Sequence, residues 1–162
     1  MKSLMLLRHA EALPTTPALA DLERKLSVHG QQQARRLGMW MGARGWTPQA
    51  ILCSSAQRAR QTAEAVAATA GWASPMTVLE SLYNANADDM ITVLREQASN
   101  IDSLLLVAHA PGVAELASAL TTRQSDLSLA CEPATLIEVV AALDDWCELG
   151  RNCANLRLLL PT

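Results

Sequence analysis

Two short stretches of the sequence place an imidazole directly after an apolar run. Arg8 and His9 follow the apolar residues 4–7, and His109 follows the apolar residues 104–108. Such runs are typical of strands buried on both faces of a parallel sheet, where ligands bind beyond the carboxyl ends of the strands. If the two strands are neighbours, His9 and His109 lie side by side, and a neutral imidazole is a competent nucleophile. The alternative is that Arg8 and His9 are merely the polar edge of a strand.

A third stretch carries a cation at the start of a predicted helix. The apolar residues 50–53 predict a strand, and Ser54 and Ser55 after it predict an N-cap. Arg58 then falls in the first helical turn, where a cation opposes the helix macrodipole by roughly 0.3 to 1 kcal/mol. An anion bound at the same helix end would offset that cost, and a dianionic phosphate is the natural candidate.

These stretches form part of an ordered set of motifs. In order along the chain they read Arg8-His9, Leu26-Ser27-x-x-Gly30, Ser54-x-x-x-Arg58-x-x-Gln61-Thr62 and His109. The set spans about residues 1–120 and resembles the histidine phosphatase superfamily, which has the phosphoglycerate mutase-like fold. The short chain, the Arg-His-Ala form of the first motif and the lack of a large inserted helical subdomain are similar to phosphohistidine phosphatases of the SixA type.

The resemblance implies a mechanism and a set of site residues. His9 would attack phosphorus to form a phosphohistidine that water hydrolyses, and Arg8, Arg58 and His109 would complete the catalytic, phosphate-binding site. The implied substrate is phosphohistidine on a protein such as a phosphorelay domain. The alternatives are a small phosphomonoester, or a non-catalytic module that binds phosphate or a phosphoprotein.

We expect no cofactor and no metal. The alternative is a zinc site built on His9 and His109, because paired imidazoles in proteins can bind zinc. Arg8 and Arg58 beside them would repel a cation, and no third ligand stands at a useful spacing. We therefore rank a zinc site below a phosphate site.

The sequence departs from the family pattern at the position of the proton donor. Many members carry a glutamate in a Leu-x-Glu segment after the third strand, whereas this chain has Leu82-Tyr83-Asn84. An amide cannot protonate a leaving alkoxide, which argues against mutase or ordinary sugar-phosphate chemistry. SixA-type enzymes lack an obvious donor there too. Separately, residues 10–25 predict a long loop that could close over the substrate, with Arg24 as a further phosphate contact.

Alternating short apolar runs and amphipathic segments predict the scaffold. We expect strands at 4–7, 50–53, 76–79, 104–108, 135–141 and 155–160. We expect helices at 30–43, from the Ser54-Ser55 cap to Gly71, at 88–97 and from about Pro111 onward. The last two strands lack a helical crossover, which indicates an antiparallel pair. The predicted fold is a single-domain α/β protein over residues 1–162, a three-layer α/β/α sandwich with a mostly parallel six-stranded sheet.

Bulk properties limit the partners and the location. A net charge of −3 and a pI near 5.6 disfavour binding to nucleic acid or to an anionic membrane. The sequence shows no signal-peptide core and no apolar run of membrane-spanning length, so we expect a cytoplasmic monomer. The four cysteines form no Cys-x-x-Cys pair, which favours reduced thiols; a bridge between Cys147 and Cys153 is the lesser alternative.

Overall fold

The computed structural model describes residues 1–121 and 131–161. The strands are β1 Lys2–Arg8, β2 Ala50–Ser54, β3 Met76–Leu79, β4 Ser103–Ala108, β5 Leu136–Ala141 and β6 Ala154–Leu160. The helices are α1 Val28–Ala43, α2 Gln57–Ala70, α3 Ala87–Arg95 and α4 Gly112–Leu120. All the predicted helices and strands are present, although α1 starts two residues early, so His29 lies inside that helix instead of before it.

The six strands form one sheet in the order β3-β2-β4-β1-β5-β6. The strands β3, β2, β4 and β1 are parallel, while β5 and β6 are antiparallel. Arg8, the last residue of β1, pairs with Ala108, the last residue of β4. The residue that follows each of these strands, His9 or His109, therefore lies at the same edge of the sheet. The predicted mostly parallel sheet and the expected adjacency of the two strands are confirmed.

The sheet buries one hydrophobic cluster on each face. Along β1, Leu4 and Leu6 belong to the cluster with α3 and α4, whereas Met5 and Leu7 belong to the cluster with α1 and α2. This alternation follows from the two-residue period of a strand. The result is the predicted three-layer arrangement, with the site at the carboxyl edge of the central strands.

Most helix ends form as the sequence predicts. Ser27 caps α1 by accepting a hydrogen bond from the Gly30 amide at 2.9 Å, and Gly71 ends α2 in the left-handed conformation. The predicted serine cap of α2 is wrong, because the N-cap is Ala56 and no side chain caps that helix end. The Ser54 hydroxyl lies instead within 2.7 Å of His109 Nε2.

The connection between β5 and β6 is polar in composition, but it contributes one aromatic side chain to the core. It contains a short 3₁₀ helix, Trp146–Glu148, and the Trp146 side chain is fully buried with its indole N–H donating to the Ile101 carbonyl at 2.7 Å. All four cysteines are free. The alternative of a bridge between Cys147 and Cys153 is therefore wrong. In residues 1–121 and 131–161, no helix has the length and apolar character needed to cross a membrane.

Candidate active site

His9 presents one unprotonated ring nitrogen, Nε2, beside the Arg58 guanidinium. Its Nδ1 lies 2.7 Å from the Ala10 carbonyl oxygen, which only accepts hydrogen bonds, so Nδ1 carries the proton. The unprotonated Nε2 accepts a hydrogen bond from Arg58 Nε at 3.2 Å. Burial, with a smaller contribution from the charges of Arg58 and Arg8, lowers the pKa of His9 from 6.5 to about 4, although the hydrogen bond to Ala10 acts in the opposite direction. At neutral pH the ring is therefore neutral, with Nε2 available as a nucleophile.

His109 lies beside His9, with ring centroids 5.1 Å apart. Its Nε2 is 2.7 Å from Ser54 Oγ, and Ser54 Oγ also accepts from the Ala56 amide at 3.3 Å. Because Ser54 is fully buried, its hydroxyl proton needs an acceptor, and His109 Nε2 is that acceptor. The proton of the His109 ring consequently sits on Nδ1. Burial, followed by the nearby His9 and Arg58, lowers the pKa of His109 to about 3, so this ring is neutral as well.

His109 Nδ1 and Arg8 Nε share an uncommon property. Both atoms are buried, and neither has a hydrogen-bond partner among the residues that the structure describes. The Arg8 guanidinium is held in place by a hydrogen bond from Nη1 to the Cys131 carbonyl. Two buried donors without acceptors are costly in a native structure unless a ligand satisfies them.

Arg58 is only 4% exposed and all three of its nitrogens are engaged. Besides the bond to His9, Nη1 donates to the Asp21 carbonyl at 2.7 Å and Nη2 to the Asp21 carboxylate at 3.0 Å. As predicted, Arg58 lies in the first turn of α2, where Gln57 is the first helical residue. These bonds fix the guanidinium plane against the His9 ring.

Asp21 connects the segment of residues 10–25 to the site through hydrogen bonds to its carboxylate. Its carboxylate accepts hydrogen bonds from the Tyr83 hydroxyl at 2.7 Å and from Arg24 Nη1 at 2.9 Å, in addition to Arg58. These donors, led by Tyr83, hold the pKa of Asp21 well below its usual range. The Tyr83 ring in turn packs edge-on against His109, with centroids 5.7 Å apart.

In the structure, Arg24 donates hydrogen bonds from Nη1 to the Asp21 carboxylate and from Nε to the Leu13 carbonyl, the latter at 2.8 Å. Its predicted direct contact with phosphate stays a prediction. Sequence reasoning missed Asp21 and the role of Ser54, because both act through contacts with residues more than 30 positions away, for which no local pattern exists.

Gly30, from the second motif, fits the close packing around the site. A Cβ at this position would lie 2.0 Å from the carbonyl oxygen of Glu11, which is two residues after His9 in the chain. Elsewhere, Asn84 adopts a left-handed backbone conformation with φ of 54°, which asparagine tolerates better than most residues. Within residues 1–121 and 131–161 no group of three or more His, Cys, Asp or Glu side chains is arranged to hold a metal ion.

Comparisons of the sequence with known proteins identify a family model and relatives that match this chain. The family model of the histidine phosphatase superfamily (branch 1) matches residues 4–100. An uncharacterized protein of Mycobacterium tuberculosis, Rv1276c, is 31% identical over 157 residues, which cover 93% of this chain and 96% of that protein.

Solved structures share the fold over nearly the whole chain. The structure named putative phosphohistidine phosphatase SixA from Nakamurella multipartitia matches with a TM-score of 0.84 at 22% identity, over 99% of this chain and 95% of that chain. The protein histidine phosphatase SixA complexed with tungstate has a TM-score of 0.82 at 19% identity, with coverages of 98% and 96%.

Proposed function

The chain belongs to the histidine phosphatase superfamily, and from that premise we propose that it is a metal-independent phosphatase that works through a phosphohistidine on His9. The preferred substrate in this proposal is a phosphohistidine borne by a protein. A phosphorylated protein partner, a cytoplasmic location and a monomeric state remain predictions from the sequence.

One observation carries the proposal: within the described residues, the buried donors Arg8 Nε and His109 Nδ1 have no acceptor, and they lie at the same sheet edge as the nucleophilic nitrogen His9 Nε2. A phosphoryl group in front of His9 would supply oxygen acceptors to both donors. Such preorganised donors stabilise the negative charge that phosphoryl transfer spreads over the equatorial oxygens. The tungstate bound to the SixA structure is an oxyanion of similar shape, which supports the same reading.

The residues present can perform both halves of the reaction. In the first half, the lone pair of His9 Nε2 bonds to phosphorus while the bond to the leaving group breaks, and the leaving group takes that electron pair. The Ala10 carbonyl oxygen, 2.7 Å from Nδ1, accepts the Nδ1 proton in a hydrogen bond and so stabilises the positive charge that develops on the ring. In the second half, the water oxygen bonds to phosphorus, the P–N bond breaks with its electron pair returning to His9 Nε2, and inorganic phosphate carries the water protons away.

Asn84 favours a phosphoramidate over an alkyl phosphate as substrate. The superfamily's usual acid position holds an amide here, so no carboxylic acid at that position protonates a leaving oxygen. A departing imidazole needs no such acid, because its proton can remain on the ring nitrogen away from phosphorus. The SixA names of the structural neighbours point the same way.

The proposal is tested by comparing turnover of a phosphohistidine-bearing protein with turnover of a panel of alkyl and aryl phosphates. We expect the phosphohistidine and the aryl esters to react and the alkyl esters to lag by about 10² to 10⁴-fold, the usual contribution of general acid catalysis. His9→Ala should abolish all turnover, whereas the exposed His29 provides the control variant His29→Ala. Turnover that disappears with a chelator would overturn the metal-independent mechanism, and alkyl esters reacting as fast as phosphohistidine would overturn the substrate assignment.

A further inference from the structure

A cleft of about 330 Å³ opens beside His109 at the start of α4. Its walls are residues 84–86 and 109–112 together with Glu115, and they do not include His9. The cleft therefore extends from the site on the side of His109, away from the nucleophile. In an in-line displacement the leaving group points away from the attacking atom, which makes this cleft the place to receive it.

The cleft is formed by a close approach between α4 and the loop that precedes α3. A Cβ on Gly112 would lie 2.2 Å from the Ala85 carbonyl oxygen and 2.9 Å from the end of the Met90 side chain. The absence of a side chain at Gly112 thus sets the spacing between the two walls. His109, which is 4% exposed and whose Nδ1 has no partner in the described residues, links the cleft to the phosphate position.

Glu115 is the charged side chain of the cleft. It lies in the first turn of α4 and is exposed, and its carboxylate forms no hydrogen bond or ion pair with any residue in 1–121 or 131–161. The lining residues include no Lys or Arg, so Glu115 and His109 are the titratable groups that face the cleft. A leaving group that carries N–H donors or positive charge fits such a wall, whereas a second anionic group on the substrate would be repelled.

Other carboxylates of the neighbouring segments are already engaged. Glu11 accepts a hydrogen bond from a serine hydroxyl at 2.5 Å, and Asp88 forms an ion pair with an exposed arginine at 2.7 Å. Asp89 belongs to the capping box of α3. Glu115 is thus a carboxylate at the cleft that, among the described residues, has no partner in the fold.

We propose that this cleft binds the imidazole of a phosphohistidine and that Glu115 is a specificity residue, accepting a hydrogen bond from the ring N–H that is not bonded to phosphorus. The inference rests on the proposed function and names the feature of the leaving group that the site recognises. As His9 Nε2 bonds to phosphorus, the electron pair of the breaking P–N bond goes to the leaving ring nitrogen. The proton on the other ring nitrogen stays in place, so a neutral imidazole departs. Glu115 favours this reaction by stabilising the protonated, reactive form of the substrate ring.

The test compares two substrates that differ in this donor. Phosphoimidazole carries the ring nitrogen that Glu115 would contact, and p-nitrophenyl phosphate has a good leaving group without any N–H. Glu115→Gln should lower kcat/KM for phosphoimidazole by about tenfold to a hundredfold, the range of a hydrogen bond to a charged group. It should change kcat/KM for p-nitrophenyl phosphate by less than about twofold, because that ester offers no donor.

The pH profile supplies a second readout. A carboxylate beside the bound ring keeps it protonated to higher pH, so the alkaline limb of kcat for phosphoimidazole should lie at higher pH in the wild type than in Glu115→Gln. The matched control is Glu64→Gln, which removes the same charge from an exposed position on α2. That variant should behave as the wild type with both substrates.

The outcomes separate this inference from the proposed function. Equal effects of Glu115→Gln on the two substrates, or none on phosphoimidazole, would overturn the role of Glu115 while leaving the phosphatase intact. A wild type that hydrolyses the aryl ester but not phosphoimidazole would overturn the assignment of the cleft. Failure of the wild type to hydrolyse either substrate would refute the proposed function and this inference together.

Discussion

The two histidines of the site, both desolvated in the fold, should make the free energy of unfolding fall steeply between pH 7 and pH 5. In the unfolded chain an imidazole has a pKa of about 6.5, whereas in the folded protein His9 has a pKa of about 4 and His109 of about 3. A lowered pKa means that the unfolded state binds more protons, so the stabilisation is present above pH 6.5 and is lost as the pH falls towards the folded values.

The size of the effect follows from these values. At pH 5 both rings are still largely neutral in the folded protein, while the unfolded rings are mostly protonated. Each histidine then withdraws about 2 kcal/mol of unfolding free energy between pH 7 and pH 5, or about 4 kcal/mol for the pair. The carboxylate of Asp21, whose pKa is lowered, adds its own loss only at more acidic pH.

Urea unfolding at pH 7 and pH 5, in buffers without phosphate, measures this loss directly. His109→Gln should reduce the pH-dependent loss by about 2 kcal/mol, since it removes one of the two titrating rings. The comparison is made within each variant, so a change in overall stability cancels. His29→Gln removes an exposed imidazole and serves as the control that keeps the full loss. The same loss in His109→Gln as in the wild type would refute the neutral, desolvated state assigned to His109.

Three further substitutions test separate parts of the site. Ser54→Ala should lower kcat/KM for an aryl phosphate about fivefold to tenfold, because His109 loses the bond that fixes its proton on Nδ1; unchanged kinetics would refute that role. Gly30→Ala should destabilise the protein by roughly 1 to 3 kcal/mol in urea unfolding, because its methyl group would collide with the Glu11 carbonyl; a fully stable variant would contradict this packing. Arg58→Ala should also lose about 1 to 3 kcal/mol, since its buried hydrogen bonds outweigh the roughly 0.3 to 1 kcal/mol of dipole relief, and vanadate should no longer raise its Tm; undiminished stabilisation by vanadate would contradict its role in anion binding.

The sheet and the histidine pair could be predicted because their signals are local. A four-residue apolar run ending in Arg8 and His9 defines a buried strand and its chemical end without knowledge of the rest of the chain. The two-residue period of β1 then assigns its side chains to both faces of the sheet, as the two hydrophobic clusters show. Whether β1 and β4 are neighbours depends on long-range strand pairing, which no local pattern encodes. The structure pairs the two strands, with Arg8 opposite Ala108.

The contacts that complete the site have no comparable signal in the sequence. Ser54 stands between an apolar run and a helix in the sequence, so local propensity favours a cap. In the structure it is the last residue of β2, and its buried hydroxyl bonds to His109, which follows the neighbouring strand β4. Asp21 lies in a loop without periodicity, and its partners Arg58 and Tyr83 come from different elements. Trp146 lies in a polar segment, yet it is completely buried in the hydrophobic cluster that includes α3 and α4. Each of these roles depends on tertiary packing, which a propensity or a capping rule does not encode.

The central claim is that phosphate is transferred to His9, and trapping that intermediate tests it most directly. The protein is mixed with a phosphorus-labelled aryl phosphate and quenched within the first turnovers in alkaline denaturant, which preserves the acid-labile N–P bond, and the labelled peptide is sequenced by mass spectrometry. We expect the label on His9 in the wild type and none in His9→Ala. Label on a serine or a cysteine, or a rapid burst of product with His9 unlabelled, would contradict the mechanism.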